Sequence, residues 1–213
     1  MLSLSPLPTN VMPYFDDLVK RINACTKCPL SEGRTMAVPG HGSRSADIMF
    51  IGEGPGFYED REGLPFVGSA GHVLNKLLAT IALRREDVFI TNMVKCRPPN
   101  NRDPLPGELQ ACQPYLDEQL DLISPQVVVT LGKYSFSRFF PGESISKSRG
   151  KPRKWKGLII YPMYHPAATL HNPKLRPVLE NDFRNLSSLL ENILRISELD
   201  KSTVTTRQIG LFE

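Results

Sequence analysis

The sequence predicts an α/β fold in which helices cover both sides of a four-stranded parallel sheet. Three observations carry this. Short apolar, β-branched runs alternate along the chain with segments of helical spacing. One run, QVVVTLG, is continuously apolar, as a strand buried on both faces requires. No internal repeat or second apolar core interrupts the alternation, and strands alternating with helices build parallel sheets.

Taken in order, YFDDLVKRINAC (14–25) has helical spacing and DIMFIG (47–52) reads as the first strand. AGHVLNKLLATIAL (70–83) is helical again. DVFITNMV (87–94) is rich in β-branched and apolar residues, the mark of a strand. PGELQACQPYLDEQLDLI (106–123) opens with Pro and an early Glu, a helix start. QVVVTLG (126–132) is the third strand, KYSFSRFF (133–140) a short helix and GLIIYPM (157–163) the fourth strand. PVLENDFRNLSSLLENILRISEL (177–199) is a long amphipathic helix. Residues 1–196 form one domain, and 197–213 read as a flexible polar tail.

The 213 residues, 40% hydrophobic and 23% charged, suit one globular domain with its own core. No apolar run approaches the roughly 20 residues of a membrane span. The start, MLSLSPLPTNVMPY, is broken by prolines and lacks a basic lead, so it reads as a poor signal peptide and a cytoplasmic protein is expected. The net charge of +4 is only mildly basic. Its distribution is uneven: Lys147, Arg149, Lys151, Arg153, Lys154 and Lys156 lie in a stretch without an acid, around the sole tryptophan, Trp155. Such a patch suits a phosphate backbone, with Arg149 and Lys151 as DNA contacts, or is simply a solvated loop.

In an open parallel sheet, ligands bind beyond the carboxyl ends of the strands. The four loops there are GEGPG, TNMVKCRPPNNRDP, LGKYS and MYHPAATLHNP, which brings Glu53, Asn92 and His165 towards one another. The first loop belongs to the glycine-rich stretch from Gly52 to Gly71. It lacks the Lys-Ser/Thr pair of a P-loop and does not fit G-x-G-x-x-G. It also holds Glu53 where a phosphate loop avoids negative charge.

Cys25 and Cys28 form a C-x-x-C turn, and Cys96 and Cys112 complete a possible tetrahedral set. Structural disulfides are not expected in the cytoplasm, so metal is favoured. Spacing does not choose between zinc and iron–sulfur, although the second pair is too wide for a zinc knuckle.

GEGPG, PFVGSAG, ITNMVKCRPPNNRDP, VVVTLG and YHPA, in this order, resemble the family 4 uracil-DNA glycosylases from about Cys25 to Asp182. The resemblance implies a uracil-DNA glycosylase-like three-layer α/β/α sandwich with a central four-stranded parallel sheet. It implies a [4Fe-4S] cluster on Cys25, Cys28, Cys96 and Cys112, with zinc less favoured. It implies a monofunctional, monomeric enzyme that flips deoxyuridine out of DNA and hydrolyses the N-glycosidic bond, leaving free uracil and an abasic site.

The roles then distribute as follows. Phe66 stacks on the flipped base. Asn92 accepts from uracil N3–H and donates to O4, which cytosine reverses. His165 donates to uracil O2 as negative charge develops there. Glu53 orients water or stabilises the cationic sugar, and the Gly54 N–H binds uracil or water. Glu59 guards against the 5-methyl of thymine. Leu170 and His171 form the wedge entering DNA. The chain departs from the pattern at Phe57 and Tyr58, where acids are common, and at His171, where an arginine is common.

The end of the chain, with Gln208, Leu211 and Phe212, resembles the Q-L-x-L-F peptide by which bacterial repair proteins bind the sliding clamp. Two other readings compete with the glycosylase. One is a non-catalytic metal-cluster protein binding nucleic acid through 144–156. The other is a nucleotide-binding enzyme using GEGPG as a phosphate loop.

Overall fold

The computed structural model describes residues 12–209; the expected clamp contacts Leu211 and Phe212 lie outside them. The strands are β1 (His41–Gly42), β2 (Ile48–Gly52), β3 (Phe89–Asn92), β4 (Val127–Leu131), β5 (Arg153–Trp155) and β6 (Leu158–Met163). The helices that position the site are α1 (Met12–Asn23), α2 (Leu30–Gly33), α3 (Phe57–Glu62), α4 (Ser69–Thr80), α5 (Pro106–Ile123), α6 (Lys133–Ser137), α7 (Ile145–Ser148), α8 (Ala168–His171) and α9 (Arg176–Ile209).

The sheet is mixed and six-stranded, in the order β1-β3-β2-β4-β6-β5, rather than the four-stranded parallel sheet expected. The pairs β2–β3, β2–β4 and β4–β6 are parallel, and the two additional strands pair antiparallel at the edges. Strands of two and three residues are too short to show an alternating pattern. β5 joins β6 through Lys156 and Gly157, both at positive φ (45° and 88°), the backbone of a two-residue hairpin turn. Half of the basic stretch is thus a hairpin edge rather than a solvated loop.

Alternation along β2 divides the core. Ile48 and Phe50 face Leu74, Leu77 and Leu78 of α4 and Leu179, Phe183 and Leu186 of α9. Met49 and Ile51 face the other way, onto Phe15 of α1 and Leu116, Leu120 and Ile123 of α5. Phe50 stacks on Phe183 at 6.0 Å, and Phe15 meets Phe89 edge-on at 5.5 Å. Each fully buried side chain of this size contributes about 1.5–3 kcal/mol. Both faces of the sheet are therefore covered, and only the strand ends are left for a ligand.

The backbone of α9 stays helical to Ile209, past Ser197, where the sequence sets the start of a polar tail; Gln208 falls within this helix. Among the described residues no helix is long and apolar enough to cross a membrane.

Candidate active site

A cavity of about 500 Å³ opens at the carboxyl ends of β2, β3 and β6, and Glu53, Gly54, Glu59, Phe66, Asn92 and His165 all line it. Main-chain bonds knit two of its loops together: Met93 N–H donates to Gly52 O (3.0 Å) and Val94 N–H to Glu53 O (3.1 Å).

Two glycines allow this closeness. A Cβ on Gly52 would lie 2.3 Å from Asn92 Oδ1 and 2.7 Å from the Phe66 ring, and one on Gly71 would lie 1.8 Å from Phe66 O. Helix α4 can start against the Phe66 backbone only because Gly71 has no side chain. Phe66 itself sits at φ 54°, an unfavourable region for an aromatic residue. Its carbonyl and that of Pro65 both accept from the Arg85 guanidinium, the first at 2.8 Å, and Arg85 also bonds Asn75. Burial holds that guanidinium below its usual pKa. Arg85 thus clamps the strained turn that presents Phe66. The Phe66 ring lies 5.5 Å from the His165 imidazole at 27°.

Asn92 ends β3 with 1% exposure, and its Oδ1 has no hydrogen-bond partner. A buried carbonyl-type oxygen without a donor is costly, typically about 1–3 kcal/mol, and rare in folded proteins. Its main chain, by contrast, is anchored: Asn92 O accepts from Lys95 Nζ (2.7 Å), whose other bonds go to Thr91 Oγ1 and Gln119 Oε1.

Ala167 N–H donates to His165 Nδ1 at 3.1 Å, so the proton of the neutral ring sits on Nε2. Burial pushes this imidazole down to about 4, which keeps it neutral at physiological pH. Glu53 goes the opposite way: burial, then the charge of Asp103, push it up to about 7, with Lys133 acting against them. Asp103 in turn accepts from the Tyr134 hydroxyl. The site thus combines a neutral donor, an orphan acceptor and a carboxyl poised near neutrality.

Glu59 has a different occupation from the one expected. Its carboxylate accepts from Gly56 N (3.1 Å), Val67 N (2.9 Å) and Gly68 N (2.8 Å), so it folds the glycine-rich loop and has little capacity left for a ligand. His171 lines the cavity, but Leu170 lies on the adjoining surface, 49% exposed. Arg149 pairs with the buried Asp182 at 2.5 Å, so its charge is engaged within the fold, whereas Lys151 is exposed.

Cys25, Cys28, Cys96 and Cys112 are free thiols lining one small cavity. As placed, no three metal-ligating side chains among the described residues are close enough to hold an ion. The surroundings nonetheless suit sulfur ligands. Arg34 Nη1 donates to Cys96 Sγ (3.0 Å), Lys95 N to Cys112 Sγ (3.3 Å) and Lys27 N to Cys25 Sγ (3.5 Å). Residues 96 and 112 bracket a loop that reaches the cavity through Pro98, Asn101 and Arg102, the last fixed by its 2.6 Å pair with the buried Glu108.

Comparison with known proteins decides the family. Residues 39–187 match the Uracil DNA glycosylase superfamily. The chain is 50% identical over 188 residues to the type-4 uracil-DNA glycosylase of Sulfurisphaera tokodaii, covering 84% of this chain and 86% of that protein. It is 46% identical over 187 residues to the type-4 uracil-DNA glycosylase of Archaeoglobus fulgidus, covering 84% and 94%. The chain belongs to the type-4 uracil-DNA glycosylases. Around the cavity stand several residues that sequence reasoning did not reach. Arg85 lies in no motif, Tyr134 is only one member of the LGKYS loop, and both bond partners distant in sequence. Arg102 was visible only as part of PPNNRDP, and its pairing with an early helix Glu six residues on was the available signal.

Proposed function

We propose that this protein removes uracil from DNA, releasing the free base and leaving an abasic site as the first step of base excision repair. The observation that carries the reading is the orphan Oδ1 of Asn92, buried in a cavity it shares with Phe66 and His165. Uracil presents a donor, N3–H, between two carbonyl oxygens. Asn92 Oδ1 takes the N3–H, its amide donates to O4, and His165 Nε2–H supports the charge that develops at O2. Cytosine offers an acceptor at N3 and leaves Oδ1 unpaired. Glu53, when ionised, orients the attacking water and stabilises the sugar cation, and the Gly54 N–H assists. Glu59 acts indirectly, by holding the loop that carries both.

Among the described residues no lysine lines the cavity, which suits a monofunctional enzyme. The reading takes the enzyme as a cytoplasmic monomer; light scattering at the mass of one chain checks the monomer. Purified protein incubated with an oligonucleotide containing one uracil, then treated with hot alkali, should be cut at that site. Retardation of the oligonucleotide without a cut would sink the reading in favour of a non-catalytic binder.

The cysteine set, with its N–H donors at sulfur, fits a [4Fe-4S] cluster held by Cys25, Cys28, Cys96 and Cys112. When bound, the cluster supplies a four-point tie between the α1–α2 turn and the 96–112 segment that borders the cavity. Broad visible absorption of the purified protein supports it, and colourless protein carrying zinc would overturn it. The chain end docks on a sliding clamp through Gln208, Leu211 and Phe212. Deleting 208–213 should abolish clamp pull-down while short oligonucleotides are still processed; unchanged pull-down would rule this out.

A further inference from the structure

A second cavity of about 490 Å³ lies between α4 and the start of α9, beneath α8. Ser69 lines both this groove and the uracil cavity, so the two adjoin at that residue. The groove is lined by His72, Lys76 and Arg176 and by no carboxylate. Lys76 is exposed and has no ion-pair partner among the described residues. Arg176 makes only a surface pair with Glu180 (3.2 Å, 62% and 43% exposed), which contributes little and is easily exchanged. The His72 Nδ1 lies 3.0 Å from Gly68 O, which leaves Nε2 for the groove. Leu170 stands on the groove wall with half its surface bare.

A nucleotide extruded into the uracil cavity remains joined to its neighbours, so a phosphodiester chain must leave the cavity mouth across adjoining surface. The basic stretch 144–156 is a weaker track than its composition implies, because Arg149 pairs with Asp182 and Arg153 with Glu143. We propose that the α4–α9 groove carries the DNA strand on one side of the extruded nucleotide, with Lys76 and Arg176 on successive phosphates and Ser69 at the crossing point. The assignment rests on the glycosylase reading and adds the path of the substrate to it. Positive side chains along a groove neutralise phosphates and release counter-ions, so they set the salt dependence of binding.

The test uses single-stranded oligonucleotides carrying one 2′-fluoro-deoxyuridine, whose glycosidic bond resists cleavage, with phosphates trimmed from either side. Lys76→Glu combined with Arg176→Glu should weaken binding about tenfold or more and reduce the salt slope by about 1.4, that is, about 0.7 for each lost phosphate contact. The double variant should also lose the benefit of phosphates on one side of the analogue only. Lys20→Glu, on α1 across the sheet, should bind as the wild type does. An unchanged slope, or an equal loss of dependence on both sides, would overturn the groove as the track. The same wild-type protein is assayed on ordinary uracil DNA: failure to release uracil there would reject the glycosylase reading itself, a result separate from the salt slope.

Discussion

Asn92→Ala should lower kcat/KM for uracil release by about 10²-fold and leave the melting temperature unchanged or slightly higher. The two halves of this prediction come from one feature. In the free protein Oδ1 bonds to nothing, so its removal takes away an unpaired buried oxygen rather than a stabilising contact. With uracil bound, two hydrogen bonds disappear at once and leave the base's N3–H and O4 buried without partners. At about 1.5 kcal/mol each, that is about 3 kcal/mol, or a factor of about 10². Kinetics on a uracil-containing oligonucleotide and thermal melting check both halves. Wild-type rates in the variant would remove Asn92 from base recognition, and a large drop in melting temperature would make it a structural residue of the β3 end.

Uracil release should also climb about tenfold per pH unit as pH rises towards about 7, then level off. The sign follows from Glu53. Burial and Asp103 raise its carboxyl to about 7, so below that pH it is mostly protonated and lacks the charge that orients water and balances the sugar cation. His165 does not contribute to this limb, since its imidazole is held down at about 4 and is neutral throughout. Glu53→Gln keeps the shape and loses the charge: the slope should flatten, and the rate on the plateau should fall about 10²- to 10³-fold. Asp103→Asn should move the midpoint to lower pH, because it removes a neighbouring negative charge. A pH profile whose slope survives in Glu53→Gln would show that another group titrates.

Helices α1, α4, α5, α6 and α9 and the four longer strands were legible because their signals are local, whereas the four- to six-residue helices α2, α3, α7 and α8 were not. A continuous run such as QVVVTLG and the spacing of PGELQACQPYLDEQLDLI report burial directly. The edge strands were not legible, since His41–Gly42 and Arg153–Trp155 are too short to alternate, and pairing rather than composition makes them strands. The convergence of Glu53, Asn92 and His165 could be deduced because parallel strands put their carboxyl ends on one rim. The job of Glu59 could not: its three N–H partners become neighbours only after the loop has closed around it. Arg149 looked free in a basic run, and its partner Asp182 lies 33 residues away.

Residue order alone thus settles the alternation of strands and helices, the rim on which the loops meet and the family to which the motifs belong. Folding settles the chemistry of the individual groups. The unpaired oxygen of Asn92, the neutral ring of His165 and the raised carboxyl of Glu53 each depend on how much water is excluded and which charges stand nearby. Those quantities arise between segments that are far apart along the chain, so no local pattern encodes them.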